Sequence, residues 1–279
     1  MMKACVIGWP INHSRSPLIH GYWIRRHALD ASYVRIPVEP QNLRSFLLGL
    51  AKDGYAGCNV TIPHKESACQ IIANLDEAAL RLGAANTVYI REGQLRATNT
   101  DGEGFINSLM ATVPAFALHN GRAVILGAGG AAVAVANALL TNGAKEVAVV
   151  NRSFERAEAM RTRLGPQIIP INWTQRSDTL SDCGILINTT SLGMSNQPPL
   201  DIDLERLPAQ AVVADIVYTP LRTRLLLDAA ARKHTVVEGL GMLLHQAVRG
   251  FELWFGVRPE VTRELHDLVA RDIDPGYGQ

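Results

Sequence analysis

Short apolar runs alternate with longer amphipathic ones along the whole chain, and that alternation sets the expected elements. Residues 3–8 read as a strand closed by Gly-x-Pro. Residues 17–29 carry Leu18, Tyr22, Ile24 and Leu29 at roughly helical spacing, and residues 33–38 form the next strand. Over 42–53, Leu43, Phe46, Leu47 and Leu50 share one helical face until Gly54 stops it. Residues 57–62 are strand-like until Pro63 breaks the run. The Ala- and Leu-rich stretch 66–82 reads as a helix, 86–90 and 94–98 alternate as a hairpin about Glu92-Gly93, and a helix spans 101–112. Pro114 and a polar turn, His119-Asn120-Gly121-Arg122, follow.

From there the apolar run 123–126 leads through glycines into a helix, and strands recur at 146–150, 168–170, 184–188, 212–216 and 235–237. Strands separated by helices in this way form a doubly wound, Rossmann-like sheet. The tail 242–270 is helical, with Leu243, Leu244, Ala247, Phe251 and Trp254 apolar. The expected architecture is therefore α/β with two domains. An N-terminal αβ domain with a mainly parallel sheet (1–102) is completed by C-terminal helices that return to it (241–279), and a Rossmann-like domain occupies 103–240. A chain of 279 residues supports two cores of this kind.

Composition narrows the class. With 27 basic and 26 acidic residues and no long run of either sign, neither a nucleic-acid stripe nor a polybasic membrane tail is present. Cys5, Cys58, Cys69 and Cys183 are far apart, and the eight histidines lack ligand spacing. Reduced, mostly buried thiols and no metal are expected. Glycine and proline interrupt the N-terminus before a signal region could form, so the expectation is a soluble, cytoplasmic protein, monomer or homodimer, without nucleic-acid or membrane partners.

Two groups of residues carry chemistry. In Gly127-Ala128-Gly129-Gly130-Ala131, Gly127 permits a tight turn, Gly129 lets backbone approach a pyrophosphate at a helix N-terminus, and Ala132 stands at the third fingerprint position. The second strand of that domain ends in Asn151-Arg152-Ser153, where an NAD-selective site places an acid. Arg152, with Arg156 one turn on, can instead pair with a 2′-phosphate, so NADP is the expected cofactor. The strand-end loop Asn188-Thr189-Thr190-Ser191 fits along such a cofactor, although ordinary loop capping explains it nearly as well. The other group is Lys65, Asp101 and several amides and hydroxyls at strand ends, the parts of a site for a small polyhydroxylated acid. A cation that also donates a proton lowers the barrier to hydride addition at a ketone.

The set His13-Ser14-x-Ser16-Pro17, Asn59-Val60-Thr61-x-Pro63-x-Lys65, Ala85-Asn86-Thr87, Asn99-Thr100-Asp101-Gly102, the glycine turn, Asn151-Arg152, Tyr218-x-Pro220 and Gly239-x-Gly241-Met242-Leu243-x-x-Gln246 resembles the shikimate dehydrogenase family. That resemblance implies NADP-linked, reversible reduction of 3-dehydroshikimate to shikimate in aromatic amino-acid biosynthesis. It implies Ser14 and Ser16 on the substrate carboxylate with Tyr218 approaching that end. Thr61, Asn86, Asp101 and Gln246 would hold the ring hydroxyls, and Lys65 and Asp101 would be the catalytic pair. Glu77, Gly127, Ala128, Gly129, Gly130, Ala131, Asn151, Arg152, Arg156, Val217, Gly239 and Met242 would fall near the cofactor. The rivals are a quinate/shikimate dehydrogenase and a catalytically silent NADP-binding regulator.

Overall fold

A computed structural model describes residues 1–114, 116 and 121–278, so the expected turn at His119-Asn120 lies outside the described residues. The chain divides into two compact units, Met1–Thr100 with Leu244–Val269 and Asp101–Leu243 with Ala270–Gln279.

The first unit contains β1 (Met2–Gly8), α1 (Ser16–Arg26), β2 (Ala31–Pro37), α2 (Leu43–Gly49), β3 (Tyr55–Val60), α3 (Lys65–Ile71), β4 (Asn74–Leu75), α4 (Glu77–Leu82), β5 (Thr87–Arg91) and β6 (Gln94–Thr98). Its sheet has the order β2-β1-β3-β5-β6-β4. β1 is parallel to β2 and β3, while β5 runs antiparallel to β3 and β6, and β4 is parallel to β6. The β5–β6 turn falls on Glu92 (φ 55°) and Gly93 (φ 73°), the left-handed pair that a two-residue hairpin requires.

The helix expected over 66–82 is in fact α3, β4 and α4. Asn74 and Leu75 pair with Arg96 and Ala97 at the sheet edge, and the Asp76 side chain restarts the helix by accepting from the Ala79 N–H at 2.9 Å. A long-range edge pairing thus overrides a local helical preference.

One face of this sheet packs Cys5, Ile7, Cys58 and Val60 against Leu43, Leu47, Leu50, Ala68 and Ile72. On the aromatic side, His20 stacks on Tyr33 with centroids 4.0 Å apart, and Trp23, Phe251 and Trp254 surround it. The Trp254 indole donates to the Val88 carbonyl at 2.8 Å. A Cβ on Gly57 would stand 2.2 Å from that indole nitrogen, so only glycine admits the ring. The Trp23 indole donates to the Glu260 carbonyl (2.9 Å) and the Tyr22 hydroxyl to Glu264 (2.8 Å). The segment Leu244–Val269 thus belongs to the first unit, whereas Ala270–Gln279, expected to return with it, groups with the second.

The second unit carries α5 (Asp101–Thr112), β7 (Arg122–Leu126), α6 (Gly130–Thr141), β8 (Val147–Asn151), α7 (Phe154–Leu164), β9 (Ile168–Asn172), β10 (Cys183–Asn188), β11 (Val212–Asp215), α8 (Arg224–Ala231) and β12 (Thr235–Val237). The chain then continues into α9 (Gly239–Phe255) and α10 (Arg263–Ile273). The sheet is wholly parallel in the order β12-β11-β10-β7-β8-β9, so the chain winds outward in both directions from β7. Alternate strand residues feed two cores. Ile125, Val147, Val149, Ile185 and Ile187 pack with α5 and α6, and Val124, Leu126, Ala148, Val150 and Leu186 pack with Leu180, Leu204 and Leu225. No helix among the described residues is long and apolar enough to cross a membrane. Cys5, Cys58 and Cys183 are buried free thiols and Cys69 is partly buried.

Candidate active site

In the first unit the site grows from the carboxyl ends of β1 and β3. Thr61 donates its N–H to the Ile7 carbonyl at 3.0 Å, and Trp9 donates to the Ile62 carbonyl at 3.1 Å, so the two exits run side by side. A Cβ on Gly8 would meet the Thr61 methyl at 2.7 Å. His64 turns inward, buried, its ring bonded to the Val38 carbonyl at 2.7 Å. Lys65, half-buried, opens α3, and its carbonyl accepts from the Ala85 N–H at 2.9 Å. That bond draws the Ala85-Asn86-Thr87 loop to the lysine.

Asn86 is the hub of the cluster. Its Oδ1 accepts from the Thr100 N–H and the Thr87 hydroxyl, both at 2.9 Å, and its Nδ2 donates to the Thr100 hydroxyl at 3.0 Å. The Thr100 hydroxyl also reaches Gln246 Oε1 at 3.5 Å. Lys65, Asn86 and Gln246 are therefore linked through backbone and side chains of one unit. Asn59 and Tyr33 join the same network, the Tyr33 hydroxyl donating to Asn59 Oδ1 at 2.6 Å and Asn59 Nδ2 donating to the Asn86 carbonyl at 3.3 Å. Sequence reading left Tyr33 without a site role and placed Thr87 and Thr100 only among the strand-end hydroxyls of the site.

Ser14 and Ser16 are both buried, their hydroxyls 3.2 Å apart. Ser16 is the first residue of α1, and no side chain caps that helix, so its hydroxyl is not used as an N-cap. Arg35 fixes the turn by donating from Nε to the Ser14 carbonyl at 2.7 Å. Glu77, exposed, lies in the first turn of α4, where a carboxylate favours the helix dipole.

Asp101 and Tyr218 belong to the second unit. Asp101 is buried as the first residue of α5, and Tyr218 is half-buried beyond β11. At the glycine turn, Gly127 has φ +107°, and a Cβ there would meet the Thr189 hydroxyl at 2.8 Å and the Thr190 methyl at 3.0 Å. Thr189 in turn donates from its hydroxyl to the Leu126 carbonyl at 2.7 Å. Gly129 and Gly130 differ: a Cβ on either meets nothing within 4 Å, and no side chain caps α6. Packing within the protein does not demand these glycines, whereas a phosphate cradled on bare backbone does. Asn151 Nδ2 donates to the Ser153 carbonyl at 2.8 Å, shaping the turn that carries Arg152. Arg152 and Arg156 are exposed, and neither guanidinium has a partner among the described residues. Gly239 has a packing reason, since a Cβ would lie 2.5 Å from the Ile216 and Val217 carbonyl oxygens. Met242 leans on the core built by α5 and α6.

One buried acid was missed. Asp215, 2% exposed at the end of β11, accepts from Asn188 Nδ2 and the Val217 N–H, both at 3.0 Å, and from the Thr223 hydroxyl at 2.7 Å. Burial pushes its carboxyl up to about 6 against those three donors. A raised folded value means that the stability this group contributes is complete below the unfolded value of 3.8 and is lost as pH rises through about 6. We expect urea unfolding at pH 4 and pH 7 to show wild type losing about 2 kcal/mol relative to the Asp215→Asn variant between the two. A pH-independent difference would contradict the shift.

Comparison with known proteins places this geometry. Residues 6–88 match the shikimate dehydrogenase substrate binding domain, 110–198 match the shikimate / quinate 5-dehydrogenase model, and 239–263 match the shikimate 5′-dehydrogenase C-terminal domain. A Rhodopseudomonas palustris protein named shikimate dehydrogenase (NADP(+)) is 53% identical over 272 residues, covering 98% of this chain and 95% of its own. The chain belongs to the shikimate dehydrogenase family. Among solved structures, the Thermus thermophilus shikimate 5-dehydrogenase in complex with NADP(H) and shikimate is 33% identical with a TM-score of 0.86, covering 98% of this chain and 100% of that one. A Corynebacterium glutamicum quinate dehydrogenase in complex with NAD is 29% identical with a TM-score of 0.88, covering 96% of this chain and 98% of that one. The family's fold, an N-terminal substrate domain and a Rossmann-like domain, is the fold described above.

Proposed function

We propose that this protein catalyses the NADP-dependent, reversible reduction of 3-dehydroshikimate to shikimate in aromatic amino-acid biosynthesis, acting in the cytoplasm. The observation that carries the reading is 53% identity, over 98% of the chain, to a relative named for that activity. Supporting it are the open glycine turn beside α6 and the two arginines after β8, unpartnered among the described residues.

In this reading most substrate contacts come from the first unit and most cofactor contacts from the second. The buried Ser14 and Ser16 hydroxyls take the carboxylate, and Tyr218 serves the same end. Thr61, Asn86, Asp101 and Gln246 take the ring hydroxyls. Gly127, Ala128, Gly129, Gly130 and Ala131 hold the pyrophosphate, and Arg152, with Asn151 and Arg156, holds the 2′-phosphate. Thr189, Val217, Gly239, Met242 and Glu77 complete the cofactor wall. When bound, the reduced nicotinamide supplies the hydride. Lys65 steadies the charge that develops on the ketone oxygen and delivers a proton from Nζ to it, and Asp101 keeps the ammonium oriented.

The test is absorbance at the reduced-nicotinamide band with shikimate plus NADP, repeated with NAD and with quinate. Shikimate with NADP should be the fastest combination; quinate with NAD in that place would overturn the reading. Arg152→Ala should raise the Michaelis constant for NADP by roughly ten- to a hundredfold, the worth of a forked charge-assisted pair, and leave that for NAD nearly unchanged. Equal effects on both nucleotides would remove Arg152 from phosphate recognition.

A further inference from the structure

The Rossmann-like sheet has two halves with different fastenings. β8 and β9 lie on one side of β7, and β10, β11 and β12 on the other. In doubly wound sheets each half receives one mononucleotide, with the pyrophosphate at the switch between them. The half with β8 carries Arg152 and hence the phosphorylated ribose, so the half with β10 and β11 receives the nicotinamide.

Backbone bonds join the two loops of that second half, Ser195 N–H to the Thr219 carbonyl at 2.8 Å and Ile216 N–H to the Asn188 carbonyl at 3.0 Å, and the side-chain fastening at this edge converges on one carboxylate. Through Asn188, Asp215 reaches the loop after β10: Asn188 Nδ2 donates to Asp215 at 3.0 Å and to the Leu192 carbonyl at 3.1 Å. The same Asn188 presents Oδ1 to the Thr190 N–H at 3.0 Å and the Thr190 hydroxyl at 2.7 Å. That loop is the one pressed against Gly127. Through the Val217 N–H, Asp215 fixes the exit of β11 that leads to Tyr218, and through the Thr223 hydroxyl it fixes the start of α8. Gly239 closes the arrangement by seating α9 on the Ile216–Val217 backbone.

We infer that Asp215 is a positioning residue for hydride transfer, setting the two loops that align the nicotinamide while leaving cofactor affinity to the glycine turn and Arg152. The inference rests on the NADP-dependent reading proposed above. Three donors and no charged side chain face the carboxylate among the described residues, so the ionised form is the one that satisfies the network. With its carboxyl pushed up to about 6 by burial, the group is ionised at neutral pH, held there by the same three donors that fix the loops. An asparagine at this position turns an N–H toward the Thr223 hydroxyl, which must then accept where it donated, so a charge-assisted bond becomes a neutral one.

The experiment compares wild type with Asp215→Asn, measuring kcat with shikimate and NADP, NADPH affinity by its fluorescence, and melting temperature. The expected result is a fall in kcat of about five- to tenfold, the worth of roughly one hydrogen bond, with NADPH affinity within about twofold of wild type. The ratio of wild-type to variant kcat should also shrink toward one below about pH 6, as Asp215 takes up its proton. Titrations shared by both proteins, the cofactor 2′-phosphate included, cancel in that ratio. Wild-type kcat in the folded variant, or an equal loss of affinity and turnover, overturns the inference alone. Absence of shikimate-dependent turnover in wild type overturns the functional reading instead. Should Asp215→Asn fail to fold, Thr223→Val, which removes one donor and spares the carboxylate, must give the same split between kcat and affinity, and its absence there is equally decisive.

Discussion

Lys65→Ala is expected to lose most turnover, on the order of 10²- to 10⁴-fold in kcat, while shikimate binds almost as before. The lysine opens α3 directly after the β3 exit, held by the bond from Ala85 N–H to its own carbonyl, so truncating the side chain leaves that backbone in place. In the proposed reading carboxylate recognition falls to Ser14 and Ser16, two buried hydroxyls at the start of α1. What the mutation removes is a proton donor and a positive charge needed chiefly when hydride reaches the carbon, which affects kcat and kcat/KM together. Steady-state kinetics and equilibrium binding of shikimate distinguish the outcomes. Near-normal kcat would leave Lys65 as an ordinary helix-start lysine.

Asp101→Ala should damage both binding and turnover. In the proposed role the carboxylate accepts from a ring hydroxyl and from the lysine, so its loss takes away a charge-assisted hydrogen bond worth about 1.5–3 kcal/mol in the bound state and disorders the donor as well. The Michaelis constant for shikimate should rise at least tenfold and kcat fall by about 10². Asp101→Asn, which keeps the shape but not the charge, should recover much of the binding and little of the turnover. If the alanine variant bound shikimate normally, Asp101 would be no more than the first residue of α5, and the melting temperature would then be the only quantity to change.

Much of this was legible along the chain because it depends on local rules. Alternation in 123–126, 184–188 and 212–216 gives strands whose two faces enter two cores, and Glu92-Gly93 specifies the hairpin turn that forms. Alternation past Pro63 also suggests that His64 and Lys65 diverge, and His64 is indeed turned to Val38. What was illegible depends on partners distant in sequence. Nothing near Asn74 announces that it pairs with Arg96, so the stretch 66–82 looked like one helix. Asp215 is a lone acid in an apolar run until Asn188 and Thr223 converge on it. Asn86 invites assignment to the substrate alone, yet its amide also fastens Thr100 and Thr87. Gly239 looks like a cofactor glycine, and the packing of α9 on Val217 demands it as well.

The seat that Gly57 leaves for Trp254 has a bearing on biosynthesis. A nascent chain that has reached Thr100 holds every strand of the first sheet but not the indole that covers it, and the whole stretch Asp101–Leu243 must leave the ribosome before residue 254 arrives. The unit encoded first thus stays unfinished until every strand of the second sheet has been made, and its aromatic side stays open to water, and to chaperones, for most of translation.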